Sequence, residues 1–190
     1  IKGIYISKEI VFNIAPYVGY QVCNLVNMPI YIQYKLLISR VFTKYTIASV
    51  NIEESDSHCI SPQIQILSSP IELDTMILIL EDTYEIQNSQ IEDPISKISS
   101  NNRIWIKISR YDGTKIRKYD LSFINAIRQV IAQYAANTTL HIFATTNPKN
   151  NIGIFEQCFA SLERDNIKQI YVYEQNKDGK RIFDKKYRVF

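Results

Sequence analysis

Histidine, cysteine and glycine are scarce in this chain of 190 residues: it has 2 His, 3 Cys and 5 Gly. With only His58 and His141, a Ser-His-Asp or Cys-His arrangement has few bases to draw on, so no catalytic set is assigned. His141 sits inside an apolar stretch and reads as a packed or hydrogen-bonded core histidine. Cys23, Cys59 and Cys158 are odd in number and far apart, which excludes a disulfide framework and a CxxC pair. His58-Cys59 has no second pair at zinc-finger spacing, so no metal is assigned, and the thiols fit a reducing cytoplasm. No GxSxG, Walker loop or GxGxxG occurs. The longest aliphatic run, Met76 to Leu80, is far short of the roughly 18 residues that span a bilayer. No signal peptide is visible. These absences predict a cytoplasmic protein with no membrane contact. An excess of one charge is lacking too: 22 Lys and Arg face 19 Asp and Glu, for a net charge of +3. Duplex-DNA binders concentrate positive charge more strongly, so no duplex partner is expected. The one basic cluster, Lys177, Lys180, Arg181, Lys185, Lys186 and Arg188, fits a solvated hairpin edge. The chain begins at Ile1, where an initiator Met would not normally have been removed, so it reads as a fragment, a processed product or a sequence without its upstream part.

What is present is a folded α/β pattern. Hydrophobic residues make up 46% and charged residues 22% of the chain, which excludes disorder. Ile71 to Leu80 ends in a continuous apolar run, as in a strand covered on both faces. Asn102 to Ser109 alternates Ile104, Ile106 and Ile108 with Trp105 and Lys107, a second strand. Asp120 caps a helix with Leu121, Ile124, Ile127, Val130, Ile131 and Tyr134 on its apolar face, closed by Ala135 to Asn137. Thr139 to Thr145 is a strand, and a helix opens near Asn150 and Asn151 with Phe155, Cys158, Phe159 and Leu162 on one face. Ile170 to Glu174 is a further strand, and Asp178-Gly179 turns a hairpin into Arg181 to Phe190. The expected fold is a Rossmann-like, largely parallel sheet flanked by helices and closing with a C-terminal hairpin. Residues 71–190 form this half. Residues 1–70 form a first, less legible α/β half, with β-formers in Ile4 to Phe12 and Tyr31 to Ile38, a short helix from Tyr17 to Val26 and a polar loop from Asn51 to Ser61.

Two nuclease signatures fail on inspection. Gly3-Ile4-Tyr5 and Tyr31-Ile32-Gln33 have the wrong gap and no final Gly for a GIY-YIG enzyme. Asp74, Glu81 and Asp82 lie near strand ends, but the ExK half of a restriction-type site is missing, and such carboxylates are expected to be solvated or capping groups. The loop Thr145 to Gly153 is richer. It leaves the carboxyl end of a parallel strand, where α/β sheets bind ligands, and enters a helix N-terminus, which suits phosphate. Thr145, Thr146, Asn147, Lys149, Asn150, Asn151 and Gly153 are therefore candidate ligand contacts, with helix capping by Asn150 or Asn151 as the competing account. Tyr84 and Tyr111 follow strands and are candidate stacking platforms, with Arg110 beside them. Trp105, mid-strand, reads as core.

The segment TLHIFATTNPKNNIGIFEQC, Thr139 to Cys158, resembles the SAVED domain, a relative of CARF domains. The matching pieces are Leu140-His141-Ile142-Phe143, Pro148, the helix from Ile152 to Leu162, and Tyr173-Glu174. The helix bearing Ile124, Ala126, Ile127 and Arg128, and the earlier LDTMILILEDTYEI, keep the family's order, so the likeness covers Glu72 to Phe190. Lys149 to Gly153 departs from the small residues usual after the proline. The resemblance implies two Rossmann-like halves holding a ligand across the carboxyl ends of their strands. It further implies a sensor of a cyclic di-, tri- or tetranucleotide in bacterial antiphage defence of the CBASS or CRISPR type. Such a sensor uses no cofactor beyond that ligand. It activates an effector, fused or in a separate chain, through ligand-induced homo-oligomerisation. A metal-dependent nuclease of CARF-like fold, using strand-end carboxylates and Lys107, and a non-catalytic assembly protein are the alternatives.

Overall fold

The computed structural model describes residues 28–38, 63–68, 73–100, 102–113, 117–159, 166–176 and 179–190. The elements in chain order are α1 (Ile30–Ile38), β1 (Gln63–Ser68), β2 (Thr75–Glu81), α2 (Glu92–Ser96), β3 (Arg103–Ser109) and α3 (Leu121–Tyr134). They continue with β4 (Thr139–Ala144), α4 (Pro148–Ile154), β5 (Gln169–Glu174) and β6 (Lys185–Arg188). The six strands lie in the order β1-β3-β2-β4-β5-β6. The inner four are parallel, while β1 and β6 run antiparallel at the two edges. This is the largely parallel sheet that the sequence predicts.

The alternation in β2 separates two cores. Met76, Leu78 and Leu80 face α3 and α4 in the larger cluster, with Phe123, Ile127 and Ile142. Ile77 and Ile79 face the other side, with Ile91 and Ile95 of the α2 region, Phe143 and Phe183. All seven β2 residues are buried, as expected for an inner strand of a parallel sheet. The chain leaves β2 toward β3 and leaves β4 toward β5, in opposite directions. The crevice between the carboxyl ends of β2 and β4 is therefore the topological switch point.

Several sequence expectations shift. Tyr31 to Ile38 forms a helix, because Ile30, Tyr34 and Leu37 share one face against the core and Pro29 starts the turn by accepting from the Ile32 and Gln33 amides. Tertiary packing overrides the β-branched composition here. The helix after β4 starts at Pro148, with Asn147 as its cap, earlier than Asn150. Proline at the first helical position needs no donor partner. The helix runs on into a π turn, Phe155–Phe159, whose Phe155, Cys158 and Phe159 are buried. Leu162, Cys23, Cys59, His58 and the expected elements in Ile4 to Val26 and Asn51 to Ser61 lie outside the described residues. Asp120 caps α3 as read, but Leu121 is 50% exposed and Phe123 takes its place in the core. The C-terminal hairpin is present. Its loop is longer than a tight turn, since Glu174 pairs with Lys185, and it buries Phe183 along the way. β1 and α1 lie N-terminal to the expected division at residue 70, yet they join this sheet and this core.

Candidate functional site

Thr145 to Asn147 follows β4 and Asp82 to Tyr84 follows β2, so the two loops meet at the switch point. Backbone and hydroxyl bonds fix them together. The Thr83 amide and hydroxyl donate to the Thr145 carbonyl, at 3.3 and 2.6 Å. The Thr145 hydroxyl donates to the Tyr84 carbonyl at 2.9 Å and accepts from the Asp82 amide at 3.2 Å.

The centre of this corner is the Asp82 carboxylate. Its residue is 2% exposed. Oδ1 accepts from Nε of Arg110. Oδ2 accepts from the Asn147 amide at 2.8 Å, from Asn147 Nδ2 at 2.8 Å and from Asn150 Nδ2 at 2.9 Å. Arg110, itself buried, also faces Asp120 Oδ2 at 3.6 Å. Asn147 Oδ1 accepts from the Lys149 and Asn150 amides, both at 3.0 Å, and so caps α4. The negative charge that a helix start attracts is supplied here by the protein's own aspartate. Asp82 was expected to be a solvated or capping carboxylate. It is instead buried, because one guanidinium and three amide donors replace its water.

The other loop residues are tied down as well. Asn150 Oδ1 accepts from the Asp120 amide at 3.0 Å. The Thr146 hydroxyl donates to Asn151 Oδ1, and Asn151 Nδ2 donates to Gln33 Oε1 of α1 at 2.8 Å. Gly153 packs so closely that a Cβ there would lie 2.5 Å from Ile124 Cδ1. Thr145, Thr146, Asn147, Asn150 and Asn151 are all buried, and Gly153 with them. The structure thus brings most of the candidate residues together, as the floor of the switch point. The candidates with exposed surface are Lys149, whose Nζ lies 5.1 Å over the Tyr119 ring, together with Tyr84 and Tyr111. Burial raises the Tyr84 hydroxyl above its ordinary pKa, against the pull of Arg181 and Arg117, so it is a neutral donor.

Glu81, next to Asp82, points to the opposite face. It accepts from the Ile86 amide at 2.8 Å and pairs with Lys107 Nζ at 2.7 Å. Asp74 is at the far end of β2 and accepts from Ser100. The three carboxylates considered for a nuclease therefore do not converge. Among the described residues no group of three His, Cys, Asp or Glu could hold a metal ion. His141 is packed as expected, with Nδ1 2.9 Å from the Tyr173 hydroxyl and its ring stacked on Tyr171. Two further residues at this edge are Gln175, which accepts from the Tyr84 hydroxyl, and Arg181, read from the sequence only as part of the basic hairpin cluster, which lies over the Tyr84 ring. No motif marks either one; only the position just after a parallel strand points to Gln175.

A family model described as SMODS- and Ubiquitin system-associated 2TM effector domain matches residues 5–190. The chain belongs to this family. The match takes in all of Glu72 to Phe190, the stretch that carries the SAVED-like resemblance, and reaches further, into the N-terminal residues. Among solved structures, the Acinetobacter baumannii Cap4 SAVED/CARF-domain containing receptor with the cyclic trinucleotide 3'3'3'-cAAA is similar, at 14% identity and a TM-score of 0.49. The similarity covers 77% of this chain and 34% of that receptor, so the chain spans about a third of the receptor's length. No curated protein matches. Although the 2TM effector family carries membrane spans in its name, no helix among the described residues is long and apolar enough to cross a membrane.

Proposed function

We propose that this 2TM effector family member is a regulatory ligand-binding domain that senses a cyclic oligonucleotide second messenger at the switch point between β2 and β4. The observation that carries the proposal is the crevice itself. Its polar floor is built on Asp82, and Lys149 in the first turn of α4, Tyr84 after β2 and Tyr111 after β3 keep part of their surface exposed. Lys149 supplies the charge for phosphate, and Tyr84 and Tyr111 supply flat faces for bases. Arg110, Thr145, Thr146, Asn147, Asn150, Asn151 and Gly153 belong to that floor. The site residues named from the sequence thereby divide into contacts and supports. The family's association with SMODS systems and the SAVED-like motif order favour a nucleotide messenger over other polar anions.

Isothermal titration with a panel of cyclic di-, tri- and tetranucleotides, including 3'3'3'-cAAA, tests this reading. One member is expected to bind, and Lys149→Ala to weaken it by about 1.5–3 kcal/mol, the range of a hydrogen bond to a charged group. No binding across the panel, or equal affinity in parent and variant, would overturn the placement. Signalling without chemistry requires that the ligand favour one state over another, and oligomerisation that activates a fused or partner effector is the form proposed here.

A further inference from the structure

Tyr84, Gln175 and Arg181 hold a combination that the rest of the edge does not explain. Tyr84 follows β2 and Gln175 follows β5, so their contact reaches across the end of β4. The Tyr84 hydroxyl donates to Gln175 Oε1. That bond occupies the oxygen of the amide and leaves its nitrogen. Gln175 Nε2 is buried and has no hydrogen-bond partner among the described residues. A buried donor left unmade is costly, and native proteins hold few of them. Above the ring, the Arg181 guanidinium lies 5.3 Å from the Tyr84 centroid. Arg181 has φ 49, in the left-handed region that residues other than glycine and asparagine seldom adopt. A strained backbone therefore lays a flat cation on a flat ring.

We propose that these three residues form a nucleobase subsite whose occupant is a purine. A guanidinium and a base stack on an aromatic ring in the same way, so a base enters beside or beneath Arg181 with the cation as its outer face. The unpaired Gln175 Nε2 then donates to a ring nitrogen of the base. Purines present such an acceptor at N7, which the amide nitrogen can reach in a single bond while its oxygen stays with Tyr84. This subsite rests on the nucleotide-sensing reading only for the class of ligand, and it is separate from the phosphate contact at Lys149.

The probe is 5'-AMP, with ribose 5-phosphate as the base-free control, titrated to about 10 mM, the range of single-fragment affinities. The readout is the set of tyrosine ring resonances, with Tyr84 assigned from Tyr84→Phe. AMP is expected to shift the Tyr84 ring and ribose 5-phosphate to leave it unmoved. Gln175→Leu should weaken AMP by about tenfold while the melting temperature changes little, because losing the unmade buried donor offsets losing the acceptor of the Tyr84 hydroxyl. A merely structural glutamine would lower the melting temperature and leave AMP affinity alone. Should Gln175→Leu fail to fold, Arg181→Ala, at an exposed position, is expected to weaken AMP in the same assay. A Tyr84 ring that ignores AMP, or variants that bind AMP as the parent does, would overturn the subsite. Cyclic-oligonucleotide binding with no AMP effect at Tyr84 removes the subsite alone; an AMP shift with no binding across the cyclic panel removes the messenger reading alone.

Discussion

Four donors converge on Asp82, and their loss has a calculable direction. Asp82→Ala takes the nearer of two carboxylates from the buried Arg110 guanidinium, which keeps Asp120 at 3.6 Å, and strips Asn147 and Asn150 of a common acceptor. Removing one partner of a buried ion pair typically costs about 3–5 kcal/mol, so urea denaturation should show a loss of that order. Asp82→Asn, which keeps an acceptor oxygen, should cost less. A second residue sets an acid limit. Burial, with Lys186 nearby, lowers the His141 pKa from 6.5 to about 4. Between those values the unfolded chain takes up the proton and the folded chain does not, so stability is full above about pH 6.5 and falls as the pH drops toward 4. In thermal melts across that window the parent should lose stability on acidification, and His141→Phe should lose less. A parent and variant with parallel pH curves would assign the acid sensitivity elsewhere. His141 was legible because alternation placed it in an apolar strand. Asp82 was not, because its partners come from the residue just after β3 and from the cap and first turn of α4, and nothing local in the sequence marks that convergence.

Gly153 decides how α3 and α4 approach. A methyl group there meets Ile124 Cδ1 at 2.5 Å and the Tyr119 ring at 3.2 Å, inside normal contact. Overpacking of this kind costs about 1–3 kcal/mol, and Gly153→Ala should lower stability within that range. Ile124→Val removes the clashing Cδ1, so the double variant should recover part of the loss relative to the sum of the single changes. Strict additivity would show that the helices had moved apart instead. At this scale the sequence told the strands and α3 well, because period-2 and period-3.6 patterns survive in it. It misjudged α1, where isoleucines and tyrosines favour strands locally but the face formed by Tyr34 and Leu37 finds a core to enter. Gln33 of α1 then bonds Asn151, which accepts from Thr146, so the segment before the sheet is wired to the switch-point loop. That link joins residues 118 positions apart in sequence and leaves no trace in local composition.

Among the described residues the sheet has two unlike edges, and the C-terminal one is short and charged, with Lys185, Lys186 and Arg188 exposed. Charged short edges resist indiscriminate pairing, so any assembly through this hairpin must be specific. Light scattering at saturating cyclic oligonucleotide is expected to show a larger mass than the free protein, from a head-to-tail contact that extends when its rotation does not close. An unchanged mass at full occupancy would remove assembly from the mechanism and leave binding untouched. Fold class was readable because the strand and helix patterns recur in order from residue 71 onward. Strand order was not, since β1 and β3 pair across the sheet edge and β3 precedes β2 in space. That order also fixes a sequence of events during synthesis. β2 is apolar on both faces and needs β4 at its side, yet β4 starts more than 55 residues after β2 ends. Until Thr139 to Ala144 has left the ribosome, this apolar strand has an unpaired flank. The nascent chain is then open to holdase capture, and a pause in translation before residue 139 would prolong that exposure.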